Sequence, residues 1–145
     1  MKGAAEQAPL FGVDTMLFVY HFEANPRFGA AAERLLAAAE SGSCRLVVSV
    51  LALLEALVVP KRQGDETLCR RYRDLFAAFP NLAVVSIDPQ LAEVAAELRA
   101  AHGLRTPDAL HLATALHAGA AAFVTEDRRL RAVSGIRVLS LDEVT

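Results

Sequence analysis

Short apolar runs alternate along this chain with stretches whose apolar residues recur at helical spacing. Leu10 to Val13 is apolar, stops at Asp14 and reads as a buried strand. Thr15 to Phe22 reads as a short helix broken by Asn25-Pro26. From Arg27 to Ser41, Phe28, Ala31, Ala32, Leu35, Leu36 and Ala39 fall on one helical face, and Ser41-Gly42-Ser43 ends it. Arg45 to Ser49 is a second strand, and Val50 to Val59 a helix expected to stop at Pro60. Lys61 to Glu66 is polar and reads as a loop, and Thr67 to Phe79 as an amphipathic helix. Leu82 to Ile87 is short and β-branched, a third strand. Asp88-Pro89 is a helix start, with Asp as N-cap and Pro at the first helical position, and Gly103 follows its last residue, His102. Thr106-Pro107-Asp108 repeats the signal for a helix reaching His117. Ala121 to Val124 and Ile136 to Leu139 are the fourth and fifth strands, with a basic helical turn between them.

Short apolar strands separated by helices predict an α/β fold, a three-layer α/β/α sandwich around a mainly parallel five-stranded sheet. In such folds the working crevice lies beyond the carboxyl ends of the strands. The pattern predicts an N-terminal tail over residues 1–9 and a single domain over 10–145, without repeats or a linker.

Composition sharpens this picture. Hydrophobic residues form 54% of the 145, more than a solitary domain needs, so part of the surface is expected to lie under another subunit or a partner protein. No run approaches the roughly 18 apolar residues of a membrane span, and MKGAAEQAP lacks the apolar core of a signal peptide, so a cytoplasmic protein is expected. Cys44 and Cys69 show no metal or redox spacing and read as buried thiols. A net charge of −2 argues against broad, charge-driven nucleic-acid binding, but leaves room for one phosphate met through metal ions and a local basic patch.

The chemistry lies in the acids. Asp14 follows the first strand, Asp127 lies just beyond the fourth, and Asp108 opens the helix that feeds the fourth. Glu55 sits inside LVVSVLALLEALVVP, where no Lys or Arg lies within a helical turn. Each has a plainer explanation: helix dipoles favour Asp108, turns favour Asp127, and a distant arginine would satisfy Glu55. Together, however, the topology can gather all four at one sheet edge. Carboxylates about 4 Å apart repel by on the order of 4 kcal/mol per pair at an effective dielectric near 20, so such a cluster needs a cation. Oxygen ligands without paired Cys or His favour a hard ion, Mg²⁺ or Mn²⁺.

Four stretches, VDTMLFVY (Val13 to Tyr20), SVLALLEAL (Ser49 to Leu57), TPDALHLATAL (Thr106 to Leu116) and FVTEDRRL (Phe123 to Leu130), in this order and spacing, resemble a PIN-domain ribonuclease. The nearest likeness is to the VapC-type toxins of bacterial toxin–antitoxin pairs, and it spans Leu10 to Val144. The resemblance assigns the family's four catalytic, metal-binding acids to Asp14, Glu55, Asp108 and Asp127, with Glu126 competing for the last role. It implies Mg²⁺- or Mn²⁺-dependent cleavage of RNA, a homodimer, and inhibition by a cognate antitoxin. Thr15 and Thr125 would hydrogen-bond the ligands or their waters. Arg128 and Arg129, directly after Asp127, are candidates to meet the RNA backbone, beside the plainer reading of a solvated basic turn. His111, three residues after Asp108, reads as structural rather than catalytic.

Rival classes fit less well. A haloacid-dehalogenase-like phosphatase needs a second Asp where Met16 stands, and a response-regulator receiver needs a late lysine, but only Lys2 and Lys61 are present. An RNA-processing nuclease without a toxin role, or a PIN-like fold used only for binding, remain the alternatives.

Overall fold

The computed structural model describes residues 8–145, so the expected tail falls outside it up to position 7. In chain order the elements are β1 (Leu10–Val13), α1 (Met16–Phe22), α2 (Gly29–Glu40), β2 (Arg45–Ser49), α3 (Leu51–Arg62), α4 (Glu66–Ala78) and β3 (Leu82–Val85). There follow α5 (Pro89–His102), α6 (Thr106–His117), β4 (Ala122–Val124), a 3-10 turn (Arg128–Ala132), β5 (Arg137–Leu139) and α7 (Leu141–Val144). All strand pairs are parallel, in the order β3-β2-β1-β4-β5. The three-layer α/β/α expectation therefore holds, with the sheet wholly rather than mainly parallel.

The strands are short because both faces are covered, so each needs only a brief, near-continuous apolar run. Val13, Leu46, Val48 and Val124 pack one face against α1, α2, α3 and α4, with Phe18 and Tyr72 at the centre of that layer. Phe123 belongs to the other layer, with Leu91 and Leu98 of α5 and Leu112 of α6. Asp88 caps α5 as its sequence implies, accepting a hydrogen bond from Leu91 N at 2.8 Å, and Gly103 ends the helix with φ 65°. Cys44 and Cys69 are buried free thiols.

One expectation needs correction. Pro60 does not stop α3, which runs on to Arg62. Proline removes only one donor here, and Gln63 N still bonds Val59 O at 3.0 Å, so the buried ring is tolerated in the last turn. The outer face of α3 is open to solvent, with Leu54 60% and Val59 50% exposed. Among the described residues no helix is long and apolar enough to cross a membrane.

One close approach fixes how α6 lies on the sheet. Gly12 is hydrogen-bonded into the middle of the sheet, with Val47 on one side and Phe123 on the other. A Cβ added there would press into the Ala115 methyl and stand 3.2 Å from Ala115 Cα. The missing side chain lets α6 settle against β1. Gly12→Ala should cost about 1–3 kcal/mol of stability through overpacking. In a denaturant-unfolding double-mutant cycle with Ala115→Gly, it should show a coupling of at least about 0.5 kcal/mol. Strict additivity would mean that the two positions do not share this contact.

Candidate functional site

The strand order reverses at β1: β2 and β3 build outward on one side, β4 and β5 on the other. That switch point opens a crevice beyond the strand ends. A cleft of about 750 Å³ lies there, and Asp14, Glu55, Asp108 and Asp127 all line it. Part of its wall is apolar, with Met16, Val19 and Phe28 among the lining residues.

Asp14 leaves β1 directly into this crevice. Thr125, in the matching position after β4, donates from Oγ1 to Asp14 Oδ2 at 2.6 Å, so one hydrogen bond spans the switch point. Asp14 Oδ1 accepts from Met16 N at 3.2 Å, at the start of α1. Burial at the bottom of the cleft pushes the Asp14 carboxyl above its ordinary range, against the lowering by the Thr125 hydroxyl. Among the described residues no arginine or lysine pairs with it.

Glu55 reaches the cleft from α3. Ser49, fully buried at the end of β2, accepts from Leu51 N at 3.1 Å and so fixes how that helix begins. Glu55 meets no guanidinium. Its Oε1 accepts from Thr15 Oγ1 at 2.7 Å and lies 2.7 Å from His111 Nε2. Both contacts fall on the same oxygen, and Oε2, which has no such partner, is open to the cleft. A carboxylate only accepts, so Nε2 carries the hydrogen, while His111 Nδ1 is buried without a partner. The His111 hydrogen bond is the largest cause holding the Glu55 carboxyl below its usual range; burial opposes it, and Thr15 adds to the lowering.

His111 was thus expected to be structural and instead enters the site. Ala115, His111 and Asp108 fall on one stripe of α6, at spacings of four and three. With Ala115 seated on Gly12, His111 is carried to Glu55 and Asp108 to the cleft rim. The spacing from Asp108 is the signal in the sequence; nothing there fixes the partner.

The two rim acids are held differently. Asp108 Oδ2 accepts from Arg105 Nε at 3.2 Å. Asp127 takes Arg129 in a fork, with Oδ1 3.0 Å from Nε and Oδ2 2.7 Å from the terminal nitrogen. That hydrogen bond chiefly lowers the Asp127 carboxyl. Arg129, expected to be available to RNA, is therefore paired, whereas Arg128 stands exposed. Thr125 Oγ1 also accepts from Asp127 N at 3.1 Å, so one threonine steadies both Asp14 and Asp127. Glu126 lines the cleft too, but its Oε1 is taken up by Leu141 N at 2.8 Å, at the start of α7.

The donors facing the cleft are carboxylate oxygens, with His111 turned onto Glu55. Among the described residues, no three His, Cys, Asp or Glu side chains converge into a ready-made cage. Carboxylate oxygens are the donors that hard divalent ions take. Asp14, half-buried and paired with no arginine or lysine among the described residues, is the carboxylate such an ion would relieve most.

The PIN domain family profile matches residues 12–136, and the chain belongs to the PIN domain family. Solved structures share the fold. A toxin–antitoxin complex from Klebsiella pneumoniae is 23% identical, with a TM-score of 0.67, covering 92% of this chain and 98% of that one. VapBC2 from Rickettsia felis, bound to a DNA fragment from its promoter, is 17% identical, with a TM-score of 0.71 over 90% and 98% of the two chains. VapC20 of Mycobacterium tuberculosis, a sarcin–ricin loop cleaving toxin, is 19% identical, with a TM-score of 0.67 over 88% and 98%. No curated protein sequence matches this one.

The Glu55 environment makes a pH prediction. A depressed carboxyl contributes stability above its ordinary value, and loses it as pH falls through the depressed one. Carbon-13 NMR should find Glu55 titrating below the usual glutamate range, and His111→Phe should move it upward. An unchanged Glu55 titration in that variant would contradict the assigned cause.

Proposed function

We propose that this protein is a metal-dependent endoribonuclease that hydrolyses phosphodiester bonds in RNA, and that it is the toxin of a toxin–antitoxin pair. The observation that carries the reading is the convergence of Asp14, Glu55, Asp108 and Asp127, from four separate elements, on one cleft at the switch point. Membership of the PIN family and the likeness to toxin–antitoxin structures support it. A bound Mg²⁺ or Mn²⁺ would supply an activated water and charge stabilisation at phosphorus. Asp14 would hold the ion with Asp108 and Asp127. Glu55, fixed through Oε1, presents Oε2 to a ligand site or to the attacking water.

The remaining side chains orient and hold. Thr125 keeps Asp14 turned into the cleft, and Thr15 with His111 keeps Glu55 deprotonated and in one rotamer. The apolar wall accommodates the faces of unpaired bases, which suits single-stranded or looped RNA. Leu54, Val58, Val59 and Met16 form an exposed apolar surface running from α3 to the cleft edge. A surface of this kind beside the site supports a protein partner, either the antitoxin or a second copy in a homodimer.

Asp14→Asn should leave the fold intact and reduce RNA cleavage by more than the roughly 10- to 100-fold typical of losing a ligand's hydrogen-bond partner. Thr125→Val should fall within that range. Chelation with EDTA should abolish cleavage, and Mn²⁺ or Mg²⁺ should restore it. Full turnover by purified Asp14→Asn would refute the mechanism.

A further inference from the structure

We propose that Arg105 and Arg129 are RNA-phosphate-binding residues that the free protein stores on Asp108 and Asp127, so that RNA draws the arginines away as the acids turn to the cation. The proposal rests on the reading of the cleft as a metal-dependent RNA site.

The argument starts from geometry. The Arg129 fork occupies both oxygens of Asp127, leaving neither free to face an ion squarely. Arg105 takes Oδ2 of Asp108. Arg105, Asp108 and Asp127 line the same cleft, and Arg129 reaches it through its fork on Asp127. The acids are mostly buried, with side-chain exposures of 18% and 28%, while the arginines are 71% and 74% exposed. Flexible, exposed cations therefore cap carboxylates that belong to the cleft. Exposed ion pairs of this kind are worth little, so they yield to stronger partners. A guanidinium fork matches phosphate as well as carboxylate. Exchange lets both charges find better partners at once: arginine goes to phosphate, and carboxylate to the divalent ion. Arg131 provides the contrast, because it pairs with Glu143 on α7, away from the acids.

The full-length chain is tested with Mn²⁺ alone and with a mixed-sequence single-stranded RNA 12-mer. Lysine keeps the positive charge but lacks the planar fork, so it separates the ion-pair geometry from the local field. The Arg105→Lys/Arg129→Lys double variant should bind Mn²⁺ about two- to fivefold tighter than wild type, the range an exposed pair supports. Arg131→Lys should match wild type. With Ca²⁺, which takes the same oxygen donors, in place of Mn²⁺ and the RNA confirmed intact on a gel, Arg105→Gln/Arg129→Gln should bind the 12-mer more weakly. Its salt-dependence slope should shrink by about 1.4, two phosphate contacts on a single strand. Unchanged Mn²⁺ affinity in the lysine variant, or an unchanged RNA slope in the glutamine variant, overturns the proposal and leaves the metal site standing. Absence of Mn²⁺ uptake by wild type removes the metal-site reading itself, and the exchange with it.

Discussion

The site depends on a contact in which one partner has no side chain. Gly12, in the central strand, leaves the space in which Ala115 of α6 lies. Because α6 comes that close to β1, the residues one and two turns nearer its N-terminus are carried over the end of the sheet. His111 then meets Glu55, which arrives from α3, and Asp108 reaches the rim. A larger residue at position 12 would lift the helix, and with it both side chains. The cleft is thus set by backbone packing before any of its polar contacts form.

The four acids divide into two pairs by the partners that hold them. Asp14 and Glu55 are held by hydroxyls and an imidazole, and no full positive charge contacts them among the described residues. Their two titrations move in opposite directions for identifiable reasons. Asp14 is raised by burial, whereas Glu55 is lowered because donors converge on one of its oxygens. Asp108 and Asp127 instead carry arginines. This arrangement lets a cleft rich in carboxylates persist in a folded chain: Asp108 and Asp127 are neutralised locally, and Asp14 and Glu55 are hydrogen-bonded.

Much of this was legible in the sequence, because strand order and strand ends follow from period and punctuation. The apolar runs at Leu10, Arg45, Leu82, Ala121 and Ile136 located all five strands, and the capping signal at Asp88-Pro89 located a helix start to the residue. Asp14 and Glu55 stood out because a carboxylate at the end of a buried strand, or within an apolar helix, conflicts with its surroundings; Asp108 and Asp127 were joined to them by topology and by the family resemblance. What the sequence did not disclose were pairings between distant positions. Glu55 and His111 are 56 residues apart, so nothing local announced their contact. The Arg129–Asp127 fork is local, yet a basic turn looks the same whether its arginines are free or paired. Pro60 misled because its rule concerns helix interiors, and here it falls in a last turn with acceptors to spare.

The central claim is that side chains from four elements share one divalent cation. Anomalous diffraction from crystals soaked in Mn²⁺ addresses it without reference to activity. The account predicts a manganese peak in the cleft, with Asp14 in direct contact and the other acids reaching the ion directly or through ordered water. A peak elsewhere on the protein, with the cleft carboxylates still in their present hydrogen bonds, would contradict it.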